Sequence, residues 1–145
     1  MRRQLAENIY QQCPIIYRGR HQGPDKNLMC FGFDCGSGWY DQILTLSIQI
    51  EKLTEKLRDR GVELGYLPMV TQVKEKYAGP RFYLTVSTDE MGELISKAEE
   101  DSLCICEECG AEEKLMTAYG RFLKTCCETH RIPGVPYSEV DDEDE

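Results

Sequence analysis

The chain has 145 residues, enough for one domain with a modest core, or for one domain with a small metal-stapled appendage. Its formal net charge is −9 and no apolar run approaches the roughly 20 residues needed to span a bilayer, so no membrane association is expected and a DNA-coating role is disfavoured. The start, Met1-Arg-Arg-Gln-Leu-Ala-Glu-Asn8, is charged and lacks the apolar core of a secretory signal, which predicts a cytoplasmic protein with reduced thiols and turns the eight cysteines toward metal rather than disulfides.

In chain order, residues 2–12 predict a short amphipathic helix, with Leu5 and Ile9 four apart and Pro14 beyond its end. Arg18-Gly-Arg-His-Gln-Gly-Pro-Asp25 reads as loop. Leu28–Phe33 has the character of a short strand, and Asp34-Cys-Gly-Ser-Gly38 that of a turn. A long helix is predicted from Ser37 or Gly38 to about Arg60. Trp39, Ile43, Leu46, Ile50, Leu53 and Leu57 lie on one stripe of it, and Gly61 is placed to close it. The same spacing suits a coiled-coil seam, but the strands that follow favour packing on a sheet.

Met69–Tyr77 and Arg81–Val86 alternate in polarity, with Ala78-Gly79-Pro80 between them, and together predict a β-hairpin over about 69–86. Phe82, Leu84 and Val86 are expected to face the helices. Ser87 and Glu90 have capping-box spacing ahead of a helix whose inner face is Met91, Leu94, Ile95 and Ala98, ending near Leu103. Six negative charges crowd into Glu139 and 141–145, leaving −3 for the rest, and with Pro133 and Pro136 upstream this predicts a solvated, disordered acidic tail over 132–145. The organisation expected is an α+β body over 1–103, with a small antiparallel sheet packed on helices, then a zinc-knuckle module over 104–131.

That module carries the most specific motif. Cys106-Glu-Glu-Cys109-Gly110 presents two thiolates two residues apart, and after 17 intervening residues Cys127-Glu-Thr-His130 presents a thiolate and an imidazole at the same spacing. Soft and borderline donors in paired knuckles are how tetrahedral zinc sites are built, and the glycine lets the backbone turn tightly. Cys126 and Cys104 are alternative ligands to Cys127 and Cys106. A zinc closed by four protein ligands is structural. A catalytic zinc would need a base, for which Glu107, Glu108 and Glu128 are the local candidates, read as solvated. Cys13, Cys30 and Cys35 are read as free buried cysteines.

Three blocks, Met29–Asp41, Gln72–Tyr83 and Cys106–Gly110 with Thr125–His130, resemble a family of small, largely uncharacterised proteins of tailed phages and prophages, with Pro80 as a departure. The resemblance implies a setting, a phage protein made in a bacterial cytoplasm, and by analogy with that setting a non-enzymatic binding protein that blocks or sequesters a component of host defence is expected. It implies no particular activity.

Outside the metal motif, Lys74 and Lys76 share one face of their strand, and Arg81 and Tyr83 one face of the next. If those faces coincide, the hairpin offers cations beside an aromatic, suited to an anionic ligand such as a nucleotide signal or to a host protein. The alternative is the ordinary wet face of a one-sided sheet. The turn Asp34–Asp41 runs into a helix start and adds Trp39 as a binding candidate. Within it Cys35 could act as a nucleophile with His21 as base, giving an enzyme reading, while a zinc-dependent nucleic-acid-binding or regulatory protein, or a homo-oligomer, are further alternatives.

Overall fold

The computed structural model describes residues 1–76, 79–103, 105–111, 116–118, 125–127, 130 and 137–139. The architecture is α+β. Helix α1, Arg3–Gln12, buries Ile9 and Tyr10 against the core. The predicted strand at 28–33 is instead a 3-10 turn over Leu28–Phe31, followed by a two-residue strand β1, Phe33–Asp34. The cause is Asn27, whose side-chain oxygen accepts from Met29 N at 2.7 Å while its amide donates to Val70 O at 3.0 Å. A local side-chain bond of this kind competes with a strand ladder. Cys30, expected buried, is exposed on this turn.

A 3-10 turn over Ser37–Trp39 leads into α2, Tyr40–Asp59. Trp39, Ile43, Leu46 and Ile50 are buried and Leu53 and Leu57 partly so, each full burial contributing roughly 1.5–3 kcal/mol. Gly61, at φ 99°, takes the left-handed position that ends the helix.

Strands β2, Val70–Lys76, and β3, Gly79–Leu84, form the expected antiparallel hairpin. The turn lies closer to the centre than predicted: Gly79 and Pro80 pair with Lys76 and Glu75 as strand residues, and Tyr77 and Ala78 lie outside the described residues. The sheet is mixed rather than antiparallel, because β1 pairs parallel to β2 through Phe33↔Val73 and Asp34↔Lys74. A register shift between Val70 and Gln72 places Val70 and Val73, three apart, both in the core. Phe82 and Leu84 face the helices as expected. Val86 lies beyond the end of β3 and is exposed.

Helix α3, Asp89–Ser102, is capped one residue later than predicted, by Thr88, whose hydroxyl accepts from Met91 N at 3.2 Å. The polar Ser87–Glu90 pair has the right spacing, but the helix begins at Asp89, which makes Thr88 the capping residue. Met91 is buried, with Leu94, Ile95 and Ala98 packed beside it. Among the described residues no helix is long and apolar enough to cross a membrane.

A second sheet belongs to the C-terminal arm: β4, Met116–Ala118, lies between β5, Thr125–Cys126, and β6, Tyr137–Glu139. Residues 137–139 fall in the segment expected to be solvated tail. Their backbone instead covers the second edge of β4, through Met116↔Glu139, Thr117↔Ser138 and Ala118↔Tyr137. The acidic run that follows lies outside the described residues.

Candidate metal centre

Cys106 and Cys109 sit on a tight turn in which Gly110 N donates to Cys106 O at 2.8 Å and Cys106 N to Ala111 O at 3.0 Å. Gly110 takes φ 79°, the left-handed conformation that lets the chain turn sharply after Cys109. On the second arm His130 N donates to Cys127 O at 3.1 Å. The donor atoms of Cys106, Cys109, Cys127 and His130 all lie within 4.8 Å of one another and can hold a metal ion. Cys127 belongs to this cluster; of Cys126 only the β5 backbone pairing is described, and Cys104 lies outside the described residues.

The spacing discriminates between metal and disulfide. Metal–sulfur bonds of about 2.3 Å and metal–nitrogen bonds of about 2.0 Å set tetrahedral edges near ~3.8 Å between sulfurs and ~3.5 Å between sulfur and nitrogen. Cys109 Sγ and Cys127 Sγ are 3.7 Å apart, Cys106 Sγ and His130 Nδ1 3.8 Å, and Cys127 Sγ and His130 Nδ1 3.1 Å. A disulfide would bring two sulfurs to about 2.05 Å, and these cysteines are free.

The electrostatics ask for a cation. Burial pushes the Cys106 thiol up, but backbone N–H groups of Cys127, Cys109 and Glu108 outweigh it and hold that thiol below its ordinary value. At Cys109 the N–H of Ala111 pulls down, but burial and the neighbouring Cys106 and Cys127 prevail, and its thiol is pushed up to about 11. One thiolate forms readily and the next is opposed by it. A divalent ion removes that opposition.

The knuckle is not an appendage. Its backbone rests on the Cys35–Trp39 turn: Gly38 N donates to Glu107 O at 2.6 Å, and Trp39 Nε1 donates to Ile105 O at 3.1 Å. Gly36 N donates to the Glu107 carboxylate at 2.8 Å. Glu107, read from sequence as a solvated base candidate, is 7 % exposed and serves as this anchor. Glu108 is exposed and Glu128 lies outside the described residues. Trp39 is 0 % exposed, so its indole joins the body to the knuckle and is not on a binding surface.

Cys35 does not fit the nucleophile reading. Burial first, opposed by the Met1 ammonium and reinforced by Glu107 and Asp34, pushes its thiol up to about 12. His21 is exposed on the 18–25 loop.

The hairpin residues do share a face. Lys74 lies opposite Arg81 and Gln72 opposite Tyr83, which is 38 % exposed. The row is not purely cationic, however. Asp34 stands in register with Lys74 on one side, and on the other Arg81 Nη1 lies 3.7 Å from Glu99 Oε2. Lys76 is exposed at the strand end and makes an interaction of its own. Helix α3 guards the outer edge of β3, with Phe82 N donating to Glu99 Oε1 at 3.3 Å. The sequence signal for these acidic neighbours was absent, because Asp34 and Glu99 reach the row only through the parallel strand and the edge helix.

Comparison with protein-family models, with curated proteins and with solved structures finds no match to this chain.

Proposed function

We propose that this chain is a non-enzymatic binding protein, held together by a structural zinc ion and acting on a protein partner. The closure of the cluster carries this reading: three sulfurs and one nitrogen fill the tetrahedral valence of zinc and reserve no position for an activated water. Thiolates with an imidazole suit zinc and disfavour magnesium or calcium, which take oxygen donors. When bound, zinc supplies positive charge and a cross-link, and the chain's own residues position it. Cys35, the thiol placed near the start of α2, has its pKa pushed by burial up to about 12, which favours the protonated form at neutral pH.

A protein partner is preferred to a nucleotide because the hairpin row sets two cations, Lys74 and Arg81, between two carboxylates, Asp34 and Glu99, and a phosphate would meet a carboxylate at each end. Tyr83 supplies an exposed aromatic of the kind that anchors protein interfaces. From the sequence resemblance alone we further propose the setting: a host protein in a bacterial cytoplasm, engaged as an inhibitor of defence. Native mass spectrometry of protein purified without added metal is expected to show one zinc per chain. Capture from bacterial lysate should retain a partner with the wild type and lose it with Lys74→Gln/Tyr83→Ala. A folded, metal-free protein refutes the structural zinc, and a partner indifferent to the double substitution refutes the hairpin face. Retention of a nucleotide would move the reading to the small ligand.

A further inference from the structure

We infer that the Cys35–Trp39 turn is a seat on which the metal-loaded knuckle closes, so that Gly36 and Gly38 help to set metal affinity and Trp39 reads metal occupancy into the body. The inference rests on the reading of Cys106, Cys109, Cys127 and His130 as a metal site. Three hydrogen bonds already described join residues 36–39 to the backbone or side chain of residues 105–107. The steric fit is tighter than those bonds require. A Cβ on Gly36 would stand 2.3 Å from Glu107 O, and one on Gly38 would stand 2.1 Å from Cys106 O. On the facing side a Cβ on Gly110 would stand 3.1 Å from Gly38 O, so glycine meets glycine across the contact.

The two seat glycines are there for space alone. Gly36 has φ −73° and ψ 161°, which alanine adopts freely, and Gly38 is not among the positive-φ residues. Alanine at either position is therefore compatible with the local backbone, and the three atoms nearest its Cβ all belong to the docked knuckle. This makes Gly36→Ala and Gly38→Ala selective for the docked state. If docking and metal binding stabilise the same arrangement, each must strengthen the other by the same factor. The knuckle without metal has no cross-link between its arms, and its hold on the seat weakens accordingly.

Trp39 is the single tryptophan, and its indole N–H meets the knuckle directly, so its fluorescence reports the seat. Stripping metal with a chelator is expected to shift its emission to longer wavelength, and zinc added back should reverse the shift at one equivalent. In competition with a chromophoric chelator, Gly36→Ala and Gly38→Ala should each weaken zinc binding about 10–100-fold, the usual loss when support outside the ligands is removed. Gly92→Ala on α3, where a Cβ meets nothing within 4 Å, should leave it unchanged. Helical circular dichroism checks each variant; should Gly38→Ala lose its helices, Gly36→Ala and the wild-type titration decide. One zinc bound with a silent Trp39, or both alanine variants binding as tightly as the wild type, overturns the seat. A wild type that binds no zinc overturns the metal reading beneath it.

Discussion

Arg18 donates from Nη1 to the carbonyls of Ile15 and Pro68, and from Nη2 to those of Leu64 and Leu67, all at 2.8–2.9 Å. It ties the polar loop to the segment before β2, and nothing in the 18–25 composition marked it out, because three of the four carbonyls it serves lie 46–50 positions away. A planar fork serves four acceptors where an ammonium serves fewer. Arg18→Ala should therefore cost about 3 kcal/mol, and Arg18→Lys a smaller part of that, measured by urea unfolding. Glu51 on α2 works similarly, accepting from Ile15 N at 3.0 Å and Ile16 N at 2.9 Å while 3 % exposed. Burial raises its pKa, and the two backbone bonds only partly oppose this. A carboxyl whose folded pKa is raised binds its proton more readily folded than unfolded, so it favours folding most at low pH and loses that advantage as pH rises through the folded value. The stability of the wild type relative to Glu51→Gln should thus improve as pH falls from neutral toward the ordinary carboxylate range. A pH-independent difference would show that the charge is not what the site opposes.

The elements with long periodic patterns were legible. The α2 stripe, the α3 inner face and the β2–β3 hairpin all follow from spacing, because each repeats its signal over two turns or more of helix or several residues of strand. What escaped is short or set by distant contacts. β1 has two residues and no alternation to read, and its parallel pairing depends on where the 3-10 turn releases the chain. β6 lies in a segment whose composition predicts solvation, yet backbone pairing asks little of composition. That strand can be tested by paired truncations. Removing residues 137–145 takes away β6 and leaves β4 with a single two-residue neighbour, whereas removing 140–145 leaves every paired residue in place. Small two-stranded pieces are marginal in water. The longer truncation is expected to lower the thermal midpoint by several degrees and to release zinc more readily, and the shorter one to do neither. Equal behaviour of the two would show that β6 contributes nothing to the arm.

Across the whole molecule, the cluster of Cys106, Cys109, Cys127 and His130 was readable from two matched spacings, but its attachment was not. Cys35-Gly-Ser-Gly-Trp39 looked like a flexible turn or an anion site. Its glycines are instead the floor beneath Cys106 and Glu107. Sequence gives no sign of this, because close backbone approach between segments about 70 positions apart leaves only small residues behind, and small residues have many uses. The core runs through Ile9, Ile16, Ile43, Ile50, Val73 and Phe82 and reaches Ile105 in the knuckle, whose Cys106, Cys109, Cys127 and His130 can hold a metal ion. Zinc binding in small peptides is worth on the order of 10 kcal/mol, comparable to the whole stability of a small domain, and on the proposed reading its loss is expected to act on the arm first. Hydrogen exchange with and without chelator separates the parts. The amides of Gly38 and Gly110, bonded to Glu107 O and Cys106 O, should lose protection when metal is removed. Ile50, buried in the middle of α2, should keep most of its protection, since its neighbours come from the body. If Ile50 exchanges as fast as Gly38 once the metal is gone, body and arm unfold as one unit and the ion is holding the entire fold.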